Sequence, residues 1–170
     1  MLIISELNVL SDPAAALACD INPLVACSDS LLSPQAHLFG VSNSVIGLAA
    51  FVALAAFSVV LASGARLAKW IWWGLAAGVT VGFVYVLYFL FLSLTVFSAL
   101  CPYCMLTWVA TIGAFVIVWS NLLAEGLAGQ GLVPAGKSIG RYWALFVLVV
   151  LLIFVLVITI VLRQHIGAMF

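Results

Sequence analysis

Charge is what this chain has least of. Five Lys and Arg and five Asp and Glu are spread over 170 residues, 6% of the chain, and the formal net charge is 0. A soluble domain carries about 25% charged residues to stay solvated. With so few, no water-facing shell can be built, and the chain reads as an integral membrane protein. The absence of net positive charge excludes the electrostatic footprint that nucleic acid requires. Lys and Arg are missing altogether from positions 1–40. That stretch has neither the charged n-region nor the apolar run of a signal peptide. Asp, Glu, Lys, Arg and His are also missing from every long apolar stretch. Transporters place such groups at mid-membrane, so this absence argues against one.

What the chain has instead is apolar length. Hydrophobic residues make up 68% and the mean hydropathy is +1.41. About 20 helical residues cross about 30 Å of hydrocarbon. Four stretches qualify: 41–62, 70–98, 102–123 and 142–162. All must be helical, because backbone groups facing lipid have no water to bond. The expected fold is an all-α integral membrane bundle, with room for no second folded domain and in particular no thioredoxin-like domain. The second stretch is over-long and should tilt or project. Its Gly74, Gly78 and Gly82 recur every four residues, a face on which a neighbouring helix can approach closely. Trp70, Trp72 and Trp73 beside Lys69 read as an interfacial belt. Phe83, Tyr85, Tyr88, Phe89, Phe91 and Phe97 suit either an apolar ligand pocket or ordinary packing.

The few charges set an orientation. Arg66 and Lys69 lie between the first two stretches, Lys137 and Arg141 between the last two, and Arg163 falls at the opposite end. The positive-inside rule puts the first two loops in the cytoplasm. Residues 1–40, 100–104 and the tail 163–170 then lie outside, and Glu6, Asp12, Asp20 and Asp29 in the first segment agree. Residues 1–4 read as the last turn of a helix. Since 1–40 must be translocated, a further membrane helix is expected before Met1 in the functional protein.

All four cysteines fall on the outer side, where disulfides persist. Cys101 and Cys104 form Cys-Pro-Tyr-Cys at the mouth of the third stretch. Proline suits the first helical position, where its missing N–H costs nothing. Cys101 is then near the N-cap and Cys104 one turn inside. Unsatisfied N–H groups and the helix dipole favour a thiolate there, and the pair can cycle between dithiol and disulfide. Two inert membrane cysteines are the bland alternative. Zinc held by four thiolates is another, although the seven residues between Cys19 and Cys27 are unusual spacing for it, and no metal is expected. Cys19 and Cys27 lie in a segment rich in Asn, Asp, Ser and Pro, with a turn at Asn22-Pro23. A mobile pair there can approach a disulfide in line, as exchange requires. A static staple of the loop is the lesser alternative on spacing alone.

The combined pattern resembles the vitamin K epoxide reductase (VKOR) family. It comprises Cys19-Asp20-Ile21, Cys27-Ser28, Ser33, Asn43-Ser44 with Gly47, and Cys101-x-x-Cys104, over about residues 5–124. The order distinguishes it from DsbB, the other four-helix quinone-linked disulfide oxidase, whose CxxC comes first. The resemblance implies a four-helix bundle whose first helix is missing from 1–170, plus one extra C-terminal helix. It implies that Cys104 faces the quinone and that Cys101 exchanges with the loop. Cys27 is similar to the shuttle cysteine, and Cys19 to the one that meets an external thiol donor. Asn43 matches an asparagine that hydrogen-bonds a quinone carbonyl, and Ser33 a hydroxyl on a short capping helix, here 31–39. Animal members carry Tyr where this chain has Trp108, so that donor to the quinone is changed or lost.

The implied organisation is an outer loop with its shuttle pair (1–40), the bundle core (41–124), a cytoplasmic loop (125–141), and the extra helix with its tail (142–170). The implied function is quinone-linked reoxidation of a separate, secreted thioredoxin-fold (DsbA-like) protein in a bacterial plasma membrane, with menaquinone or ubiquinone as acceptor. Vitamin K epoxide or quinone reduction is the alternative activity, and a non-enzymatic, disulfide-stapled membrane protein is the alternative class. His37 and His165 read as surface residues.

Overall fold

The protein is described here from a computed structural model, which covers residues 42–97 and 101–167. Every regular element among them is helical, and four helices are long and apolar enough to cross a membrane. The chain is an all-α, multi-pass membrane protein, as its composition requires. It divides into two compact units, Met1–Arg66 with Thr95–Met105, and Leu67–Leu94 with Leu106–Phe170.

In the first unit, α1 spans Asn43–Ala62. It starts two residues later than hydropathy suggests because Ser42 caps it. The Ser42 hydroxyl accepts from the Ser44 N–H at 3.2 Å, and the Ser42 carbonyl takes the Val45 and Ile46 N–H groups. Serine is among the strongest N-caps, and it settles where the helix begins. No residue of α1 is buried. A helix apolar on all sides is at home in hydrocarbon.

Helix α2 (Lys69–Leu92), in the second unit, continues along the chain into a π-helical turn at Ser93–Phe97. The over-long second stretch is therefore continuous helix that widens near its end. Trp72, Ala76, Val79, Val86 and Leu90 of α2 are buried, spaced by three, four or seven residues as one helical face requires. That stripe meets α3 (Pro102–Ala124), which begins in the first unit and continues into the second. Trp73 meets Trp119 edge-on at 6.4 Å, and Phe83 stacks on Phe115 at 4.7 Å. Partners thus descend α3 as they ascend α2, so the two helices run antiparallel. The Trp119 indole N–H donates to the Thr80 hydroxyl at 3.0 Å, and Thr80 donates on to the Ala76 carbonyl at 2.6 Å. Ser58, Thr111 and Thr159 likewise donate to carbonyls one turn back. These hydroxyls and the indole are satisfied without water.

The end of α3 follows from Gly126. The Leu127 N–H bonds the Leu122 carbonyl and the Gly126 N–H the Leu123 carbonyl, the paired closure that requires a left-handed residue. Gly126 supplies it at φ +71°. The connection that follows, expected as a loop, holds a short 3-10 turn (Gln130–Leu132) and a nine-residue helix, α4 (Val133–Arg141). Helix α5 then spans Trp143–Gly167, so the expected 163–170 tail is helical through its first five residues.

Gly136 brings α4 against the end of α3. A Cβ at Gly136 would collide with the Ala124 backbone nitrogen and lie 2.7 Å from Leu123. Backbone cannot yield, so Gly136→Ala is expected to destabilise by about 1–3 kcal/mol, the usual cost of overpacking. Thermal unfolding in detergent measures it. A midpoint equal to wild type would mean that α4 does not sit this close to α3.

Two sequence expectations need correction. Of Gly74, Gly78 and Gly82, only Gly82 closely faces a neighbouring helix among the described residues: a Cβ there would lie 3.5 Å from the Thr111 methyl, whereas a Cβ at either of the other two would meet nothing within 4 Å. Of the three tryptophans at Lys69, Trp70 and Trp73 are 76% and 47% exposed, but Trp72 is 4% exposed. Trp72 points into the α2 core stripe, which period-3.6 geometry dictates and the cluster Trp70-Ile71-Trp72-Trp73 hides.

Candidate functional site

The CxxC motif sits at the start of α3 as its spacing predicts. Cys101 precedes the helix, and its carbonyl accepts the Met105 N–H at 3.1 Å, the first bond of the helix. It is thus the N-cap. Pro102 is the first helical residue, where its fixed φ is already helical and its missing N–H would have had no partner. Cys104 is the third helical residue. Both sulfurs therefore lie in the first turn, near its backbone N–H groups and the positive end of the helix dipole. Cys101 is 4% exposed, whereas Cys104 is half-buried.

One turn after Cys104 along the same helix comes Trp108. It is 5% exposed, and its ring meets Phe154 of α5 edge-on at 6.2 Å. Helix α5 thus covers Trp108. Sequence reasoning set α5 apart from the bundle core and missed this contact. A continuous apolar helix gives no signal of which of its residues will meet a neighbour.

Asn43 is the first residue of α1 and half-buried. The aromatic run of α2 divides in the structure. Phe83 stacks on α3, Tyr85, Tyr88 and Phe89 contact one another, and Phe91 is 62% exposed. Helix packing accounts for Phe83. The remaining expected site residues, Cys19, Cys27 and Ser33, lie outside the described residues, as do His37 and the expected capping helix at 31–39.

A dithiol-capable pair in the first turn of a spanning helix defines a class: a multi-pass membrane protein with a thiol redox motif at one face. The vitamin K epoxide reductase family model matches residues 1–119, and the chain belongs to that family. Membership makes it a membrane oxidoreductase linked to quinones, of the thiol-oxidising or epoxide-reducing kind. No curated protein and no solved structure matches the chain. Helices α4 and α5 lie beyond the matched residues.

Proposed function

We propose that this protein reoxidises a secreted, thioredoxin-fold dithiol protein of the DsbA-like type and passes the electrons to a membrane quinone. The carrying observation is Cys101-Pro102-Tyr103-Cys104 at the start of a spanning helix, in a chain of this family. Electrons enter at Cys19 and Cys27, transfer to Cys101 and Cys104, and leave beside Cys104. The partner's two thiols become a disulfide. Two electrons and two protons leave with the quinone, menaquinone or ubiquinone, as hydroquinone. The cysteines face the extracytoplasmic side of a bacterial plasma membrane.

The roles follow from position. Cys27 attacks Cys101 in a disulfide exchange, which requires in-line access to the sulfur. Since Cys101 is 4% exposed, that step includes an uncovering movement. The half-buried Cys104 is the sulfur nearer the lipid-soluble acceptor. Asn43 supplies a carboxamide donor to a quinone carbonyl, Ser33 a hydroxyl, and Trp108 an aromatic ring. These groups fit a flat, largely apolar ring with two acceptor oxygens, since such sites are mostly apolar with few polar contacts. The redox chemistry belongs to the quinone; the protein positions it and stabilises thiolate. Successive potentials must be closely matched, because about 30 mV is a tenfold step for two electrons.

The test is purified protein with a reduced thioredoxin-fold oxidase and either menaquinone or ubiquinone. Hydroquinone is expected to appear as partner thiols disappear, one hydroquinone for every two thiols lost. Failure with both quinones, or alkylation that finds all four cysteines permanently reduced, overturns the reading. Epoxide turnover faster than quinone turnover would assign the other activity of the family.

A further inference from the structure

The basic end of the second unit is not used by the thiol relay. Helix α3 leaves the membrane at Ala124 and α5 enters it at Trp143, so α4 between them lies at one bilayer surface. Its position is fixed rather than free. Gly136 abuts Leu123 and Ala124, a Cβ at Gly140 would lie 3.6 Å from the Ser120 hydroxyl, and Val133 lies 3.3 Å from the Cβ position of Gly126. Lys137 and Arg141 are four residues apart on α4, hence on one side of it, and both are exposed. The Arg141 guanidinium stands 5.9 Å over the Tyr142 ring, a contact that steadies it without neutralising it. Lys69 starts α2 at this same end, because Trp73, one turn on, meets Trp119 near the end of α3.

The acid supply does not balance these cations. Glu125 is the one acidic side chain among the described residues, and no ion pair with Lys69, Lys137 or Arg141 occurs among them. Trp70, Tyr142 and Trp143 are 76%, 53% and 45% exposed, as suits rings seated at headgroup level. The surface is therefore cationic, fixed by helix packing and flanked by interfacial aromatics.

We propose that α4, with Lys69, forms a docking surface for anionic phospholipid, binding the phosphodiester of a phosphatidylglycerol-type headgroup between Lys137 and Arg141. The partner is identified by charge complementarity and by depth: rigid cations at the bilayer surface meet the phosphate layer. This inference is independent of the electron relay, and its readout is binding rather than turnover.

The experiment uses the full chain in neutral detergent. Thermal midpoints are recorded against added phosphatidylglycerol, phosphatidylcholine or inorganic phosphate. Phosphatidylglycerol is expected to raise the midpoint of wild type, and the other two are not. In K137Q/R141Q the concentration giving half the shift should rise roughly 25-fold, about fivefold for each cation removed near an anionic surface. R163Q, at the opposite end of α5, should respond like wild type. Salt decides the matter even if the double variant fails to fold. The lipid effect on wild type should weaken as NaCl rises, because screening shortens the range of exposed charges. An unchanged response in K137Q/R141Q, an equal effect of phosphatidylcholine, an equal effect of free phosphate, or a salt-independent shift each overturns the proposal.

Discussion

Cys104→Ala is expected to lower quinone reduction to the uncatalysed background with every donor, protein or small dithiol. Both electrons must leave through a sulfur that touches the acceptor, and the proposed relay gives that contact to Cys104 alone. Structure should survive the change. Cys104 is half-buried at the third residue of α3, and a small side chain there costs at most about 1 kcal/mol, as is usual away from a tight core. Cys101→Ala provides the contrast. It keeps the quinone site but can form no disulfide with Cys27, so electron entry from the loop fails. Hydroquinone formation followed by absorbance, beside a thermal midpoint for folding, separates the cases. A Cys104→Ala protein that still reduces quinone with dithiothreitol would put the electron exit elsewhere.

Cys19→Ala is expected to lose turnover with the thioredoxin-fold partner while keeping substantial turnover with dithiothreitol. The reason is size. A folded partner can present its dithiol only to a cysteine on the outer segment. A small dithiol can reach the pair at the helix mouth once Cys101 is uncovered, because exchange asks only for in-line approach of a thiolate to a sulfur. The measurement is the ratio of the two rates in one preparation, which cancels differences in expression and folding. Loss with dithiothreitol as complete as in Cys104→Ala would mean that the loop pair acts at the quinone, and the order of the relay would be wrong.

These two results bear on different parts of the chain. The first tests a site whose local geometry is visible, with Cys101 as N-cap, Pro102 first in the helix and Cys104 in its first turn. The second tests Cys19 and Cys27, which lie outside the described residues and rest on their resemblance to the family pattern. Trp108 falls between. Its place one turn beyond Cys104 was readable from spacing, but its cover, Phe154, was not. The helix that carries Phe154 also lies beyond the residues the family model matches.

Membrane class, helix number and helix limits were decided by local quantities. Lipid leaves backbone groups no partner but their own helix, so apolar length alone located the four described spans to within a few residues at most ends. The CxxC geometry was equally local, since Pro at the first helical position needs no tertiary contact. Facing was another matter. In a span apolar on every side, no contrast between polar and apolar positions marks the buried stripe. Only packing could show that Trp72 is core while Trp70 and Trp73 are not, and that Gly82 rather than Gly74 meets a helix. The same holds for α4, which is held in place by a glycine too close to its neighbour to carry a side chain. Composition could settle that this chain lives in a bilayer; tertiary structure decided which faces meet protein, because hydrophobic burial does not distinguish lipid from a neighbouring helix.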